Sequence, residues 1–164
     1  MNDTQTQKQD DAELSLMVRR TIAASPERLF RAWTDPNQIV RWWGPKGTRC
    51  IAAEMDLRVG GGYRIGNSMP DGNVLWIVGS FEKIEPPTRL VYSWSLENSP
   101  ERERVSVRFL ARGLGKTEVI VVHKRVANRA IYESHEAGWN GCLAGLEAYI
   151  VDSKAEDTGN PNPF

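Results

Sequence analysis

A chain of 164 residues, 40% hydrophobic and 26% charged, has the length and balance of one globular domain and not of a disordered segment. Its 21 basic and 21 acidic side chains cancel to a formal net charge of zero, which speaks against a global attraction to nucleic acid or an anionic membrane. No run approaches the roughly 18 consecutive apolar residues of a spanning helix, and the polar start has no signal-peptide pattern, so a soluble, cytoplasmic protein without membrane insertion is expected.

Both ends read as tails. Residues 1–11 are polar and lack periodicity, and 152–164 close on Thr158-Gly159-Asn160-Pro161-Asn162-Pro163. Neither holds enough apolar surface to offset the entropy of ordering, so both are expected to be disordered around a single domain over 12–151.

Within that domain, residues 14–22 alternate apolar and polar as a strand does. Ser25-Pro26 then opens a helix, with Ser as N-cap, Pro at the first helical position and Glu27 near the positive end of the dipole. Leu29, Phe30 and Trp33 follow at helical spacing. Asp35-Pro36 repeats the signal for a second short helix over 37–43, stopped by Gly44-Pro45.

Strands are predicted next over 48–55, 62–67, 74–84, 89–96, 103–111 and 117–125. Turn chemistry separates them: Gly60-Gly61-Gly62, Asp71-Gly72, Pro86-Pro87, Ser99-Pro100 and Gly113-Leu114-Gly115. Connections this short make hairpins, hence an antiparallel meander. Leu90, Tyr92, Trp94 and Leu96 oppose Ser93 and Ser95, while Val105, Val107 and Phe109 oppose Arg104, Ser106 and Arg108. One face therefore meets water and the other must be covered.

The cover is the last element, from 129 to 151. Ile131, His135, Trp139, Leu143, Leu146 and Ile150 make one stripe along a helix roughly 30 Å long. Gly138, Gly141, Ala144 and Gly145 interrupt it with small residues, and each interior glycine costs about 1 kcal/mol relative to Ala. They mark either a close approach to the sheet or room left for a ligand. The plan is α+β, a curved antiparallel sheet gripping one long helix, with two short helices after the first strand.

That plan and its punctuation resemble the START-like helix-grip superfamily (SRPBCC), and within it the family of activator of heat-shock protein 90 ATPase homologues. The resemblance rests on residues 22–36, with Ser25-Pro26-Glu27-Arg28-Leu29-Phe30 and Trp33-Thr34-Asp35-Pro36 at their centre, and on Arg41-Trp42-Trp43-Gly44-Pro45. It continues through Asp56-Leu57-Arg58-Val59-Gly60-Gly61, Pro86-Pro87-Thr88-Arg89-Leu90-Val91-Tyr92-Ser93-Trp94 and His135-Glu136-Ala137-Gly138-Trp139. Val59 departs from the family's usual Pro in a turn. The fold hosts lipid carriers, hormone receptors and cyclases, so the resemblance implies a cavity and leaves its use open.

Projected inward, Tyr92, Trp94, Phe109, Val121, His123, His135, Trp139 and Leu143 are the expected lining of a pocket for a small, largely apolar, lipid-like or aromatic molecule. Trp33, Trp42 and Trp43 are expected to build core instead. An empty apolar cavity of that kind is costly, so it should be small, wet or occupied. His123 and His135 are the only histidines, and they are the catalytic candidates if the fold runs cyclase, dehydratase or hydrolase chemistry with a proton shuttle.

No grouping of His, Cys, Asp and Glu has metal-ligand spacing, so neither a metal nor a cofactor is expected. Cys50 and Cys142 read as free thiols. The run Glu101-Arg102-Glu103-Arg104 reads as a solvated strand start, and Glu54 and Asp56 as solvated edge charges. A chaperone ATPase as partner follows only from the family's name, and a homodimer is left open.

Overall fold

The computed structural model describes residues 14–44 and 47–159. The predicted tail over 1–11 lies outside them. Seven strands form one antiparallel sheet: β1 (Leu14–Ile22), β2 (Arg49–Met55), β3 (Gly62–Ser68), β4 (Val74–Glu85), β5 (Arg89–Leu96), β6 (Glu103–Ala111) and β7 (Thr117–Val126). Their order is β1-β7-β6-β5-β4-β3-β2, so the hairpins make a meander from β2 to β7 and β1 closes the far edge. The helices are α1 (Pro26–Thr34), α2 (Pro36–Trp42) and α3 (Arg129–Gly159). This is the helix-grip plan expected from the sequence.

The two short helices start where capping chemistry places them. Ser25 Oγ accepts the Arg28 amide at 3.1 Å, and Pro26 occupies the first turn. Asp35 serves twice: its amide closes α1 on the Arg31 carbonyl, and its carboxylate accepts the Asn37 amide of α2 at 3.0 Å. That shared cap turns the chain sharply. It buries Trp33 and Trp42 together, with ring centroids 5.0 Å apart.

Helix α3 packs its stripe of Trp139, Leu143, Leu146 and Ile150 against β1 and β7, and it touches α2. It continues to Gly159, beyond the end at Val151 that the apolar stripe alone indicates. The extra turns are held locally and at long range. Ser153 Oγ donates to the Tyr149 carbonyl at 2.8 Å, and Lys154 Nζ donates to the Ala23 carbonyl beyond β1.

The small residues of α3 divide between the two roles open to them. A Cβ on Gly145 would lie 2.6 Å from the Trp42 carbonyl oxygen, so this glycine is a close approach, made to α2 and not to the sheet. A Cβ on Gly138 would meet nothing within 4 Å. Gly145→Ala is therefore expected to destabilise by about 1 to 3 kcal/mol through overpacking against backbone. Gly138→Ala should stabilise by up to about 1 kcal/mol through helix propensity. Urea melts of the two variants check this, and equal effects would refute the division.

Trp33 lies at the centre of the core. Its ring centroid is 5.9 Å from Phe109, 6.1 Å from Trp43 and 6.0 Å from Trp139, which it stacks upon. Trp33 Nε1 donates to Tyr92 Oη at 3.3 Å, so even its polar atom is satisfied. Aromatic packing leaves only about 10 Å³ among Trp33, Ile39, Tyr63, Phe81, Tyr92 and Trp94. The deep interior between sheet and α1–α2 is filled.

Candidate functional site

The usable space lies nearer the surface, where the N-terminal half of α3 faces β3, β4 and β5. A cleft of about 220 Å³ opens there between Trp43, Trp94 and Trp139, with Leu75, Ile77 and Leu96 along the sheet side. Gly138 sits on its helix wall, so the open space found at that glycine is part of the cleft. Cys142 borders it too. Burial, slightly offset by a hydrogen bond with the Gly44 backbone, pushes its thiol up to about 12, which keeps it protonated and non-nucleophilic at neutral pH.

Polar side chains reach this largely apolar space from Thr48, Asn67, Ser134 and His135. Asn67 comes from β3, is 4% exposed, and its carboxamide oxygen has no hydrogen-bond partner among the described residues. His135 comes from the first half of α3. Behind it stands a buried polar cluster that ties β6, β7 and α3 together.

Glu103 opens β6 on its inward face, in phase with Val105, Val107 and Phe109, and is 7% exposed. Its Oε1 lies 2.8 Å from His123 Nε2 and 2.7 Å from His135 Nε2. The two imidazoles stack with centroids 4.4 Å apart, and Trp94 meets both edge-on. Trp139 Nε1 donates to His123 Nδ1 at 2.9 Å.

That last bond sets the protonation pattern. An indole N–H can only donate, so His123 Nδ1 must be a lone pair, and the ring's proton sits on Nε2, pointing at Glu103. His123 is thereby held neutral. Burial lowers its pKa below the ordinary 6.5, with its hydrogen bond to Glu103 opposing and the nearby His135 adding to the lowering. Burial alone would raise the Glu103 carboxyl, but the hydrogen bonds it accepts from His123 and His135 bring it down to about 2. Glu103 is thus an ionised carboxylate in the interior, charge-assisted from two sides.

The cluster brings three ligand-type side chains, Glu103, His123 and His135, within 4.8 Å of one another. Residue spacing along the chain carries no sign of this convergence. Its chemistry is nonetheless that of a proton-sharing network. A metal at His123 Nε2 needs a lone pair there, and the indole bond to Nδ1 leaves a proton in its place.

The expected lining residues separate on inspection. Trp94, His135 and Trp139 border the cleft, while Tyr92 faces the filled interior beside it. Phe109, Val121 and Leu143 are at most 1% exposed and packed in the core. His123 is fully buried, with both ring nitrogens engaged. Trp43, expected to be core alone, also forms a cleft wall. The run 101–104 is not simply a solvated strand start, because Glu103 faces inward while Arg104 turns out to Glu82 at 3.0 Å. Asp56 pairs with Arg58 at 2.7 Å on the surface, and both cysteines are free thiols.

Comparison with known proteins places the fold. The family model described as activator of Hsp90 ATPase homolog 1-like protein matches residues 23–151. The crystal structure of NE0264 from Nitrosomonas europaea is similar with a TM-score of 0.75 at 23% identity, over 87% of this chain and 97% of that one. The AHSA1 protein SPO3351 from Silicibacter pomeroyi gives 0.75 at 23% identity, over 85% and 99%. CalU16 from Micromonospora echinospora gives 0.66 at 28% identity, over 88% and 80%. Among curated proteins none matches. With the family model spanning most of the body and the helix-grip fold in place, the chain belongs to the activator of Hsp90 ATPase homolog 1-like family.

Proposed function

We propose that this protein binds a small, largely apolar molecule in the cleft between the sheet and α3. The observation that carries the reading is the cleft itself, about 220 Å³ walled by three indoles. An apolar cavity of about 150 Å³ accepts a benzene-sized guest, so this one suits one or two fused rings or a short acyl segment. The helix-grip fold is consistent with such binding.

Native mass spectrometry of the gently purified protein, followed by denaturing extraction, tests for a resident ligand. Thermal-shift screening of lipids and aromatics then tests affinity. A ligand at one hundred times its Kd should add about 2.7 kcal/mol of stability by mass action. A clean apo mass together with no shift across both libraries would overturn the reading.

The enzymatic alternative, a cyclase, dehydratase or hydrolase, narrows to His135 as proton shuttle, since His123 has no free ring nitrogen. The setting that goes with the binding reading is cytoplasmic, with neither metal nor cofactor and no nucleic-acid partner. Among the described residues no helix is long and apolar enough to cross a membrane. A protein partner finds one supporting feature, the outer sheet face where Lys83, Arg89, Arg104, Arg108 and Lys124 surround a groove with Glu82. A chaperone ATPase or a second copy of this chain as partner is read out by pull-down and by solution mass.

A further inference from the structure

Resting on the apolar-ligand reading, we infer that the cleft is built for a hydroxylated aromatic molecule whose hydroxyl is received by Asn67. A purely apolar guest would be served best by a purely apolar wall. This cleft instead carries a carboxamide that is 4% exposed and has an oxygen with no partner among the described residues. Folded proteins rarely leave such an atom unpaired, and where they do, a function commonly explains it. Its cross-strand neighbours supply no substitute, and the hydroxyl residues of the cleft, Thr48 and Ser134, leave that oxygen unpaired. Asn67 lies between Cys50 on β2 and Leu75 on β4, and Leu75 also lines the cleft.

The chemistry of the missing partner follows from the carboxamide. A hydroxyl both donates and accepts, so it satisfies Asn67 whichever way the amide is turned. An ammonium would bring a full charge into an apolar cleft, and a carboxylate could meet only the amide nitrogen. Trp43, Trp94 and Trp139 offer flat aromatic surface to the rest of the molecule, which favours a ring over an alkyl chain. His135 provides a further polar contact from the helix side, held in orientation by Glu103 at 2.7 Å. The ligand class is therefore phenol-like, a one- or two-ring aromatic with at least one hydroxyl.

Equilibrium dialysis of 2-naphthol and its near-isostere 2-methylnaphthalene against wild type and Asn67→Leu is the test. In wild type, 2-naphthol should bind at least tenfold more tightly than the methyl compound. In Asn67→Leu that preference should fall to threefold or less, with 2-methylnaphthalene bound as well as before or better. Asn67→Ala repeats the comparison if the leucine does not fold. Equal binding of both compounds by wild type would overturn the hydroxyl inference while leaving the apolar cleft in place. Binding of neither would count against the apolar-ligand reading as well. A tenfold preference that persists without Asn67 would overturn its assigned role.

Discussion

Glu103→Gln is expected to destabilise the protein by about 2 to 3 kcal/mol at neutral pH, and the deficit should vanish as the pH approaches 2. The reason lies in the two imidazole N–H groups that converge on one carboxylate oxygen at 2.7 and 2.8 Å. Glutamine keeps the shape and loses the charge, and hydrogen bonds to a charged group contribute about 1.5 to 3 kcal/mol. Its amide nitrogen also brings two donors into a place already supplied with donors.

The pH dependence has a definite sign. The Glu103 carboxyl titrates near 2 in the folded protein, against an ordinary value of 4.5. A depressed carboxyl contributes stability that is fully present above the unfolded value and is lost as pH falls toward the folded one. The difference corresponds to about 3 kcal/mol. Wild type should lose this amount between about pH 4.5 and 2, while Glu103→Gln has no such group to protonate. Urea melts at pH 7, 5 and 3 measure the gap. A gap independent of pH would mean that Glu103 acts through packing and not through its charge.

The same residue shows where the sequence was legible and where it was not. Strand positions followed from alternation and turn chemistry: 14–22, 89–96 and 103–111 match the observed bounds, and the other strands differ by a residue at an end. The alternation that sent Val105, Val107 and Phe109 inward also reaches back to Glu103. That signal was masked by the alternating charges of 101–104, whose solvated pattern describes Arg104 and not its neighbour. Parity along a strand is the stronger constraint, because a side chain cannot change face without shifting the register of the whole strand.

The cleft was less legible, for a physical reason. Its lining comes from the turn after α2 and from β3, β4, β5 and α3, and the boundary between filled core and open space depends on how far the indoles of Trp33 and Trp43 reach. Composition and periodicity give the face of a residue and not its depth. Phe109 and Val121 share the inward face with Trp94, yet both are packed in the core, with Trp33 edge-on against Phe109. Nor does any local pattern mark Asn67, whose burial is set by the cross-strand neighbours of β3. The glycines of α3 were visible as an anomaly, but only the position of Trp42 separates a contact at Gly145 from open space at Gly138.

Trp139→Phe is expected to carry the second large effect, a loss of about 3 kcal/mol with a pH signature of its own. The substitution removes the indole N–H that donates to His123 Nδ1 at 2.9 Å and leaves a buried acceptor unpaired. It also thins the stack on Trp33 and the edge contact with Trp43, whose centroid is 5.4 Å away. Packing loss alone would shift stability equally at every pH. Loss of the hydrogen bond would not.

In wild type, His123 cannot take a second proton without setting N–H against N–H. Its folded pKa lies below the ordinary 6.5, with burial as the leading cause. The unfolded chain therefore binds a proton that the folded protein refuses, and stability falls as pH drops below about 6.5. With phenylalanine at 139, Nδ1 is free to protonate, and the resulting imidazolium lies beside the ionised Glu103 at 2.8 Å. The folded pKa rises, and the loss of stability between pH 6.5 and 5 shrinks. The gap between wild type and variant should thus narrow on acidification. Denaturant titrations at pH 7, 6 and 5 decide the matter, and parallel curves would show that Trp139 serves the cluster as bulk and not as the donor that fixes its tautomer. The same donor also bears on the cleft. By holding His123 neutral, it leaves His135 as the one imidazole of the pair with a nitrogen unengaged among the described residues, at the wall where a ligand is received.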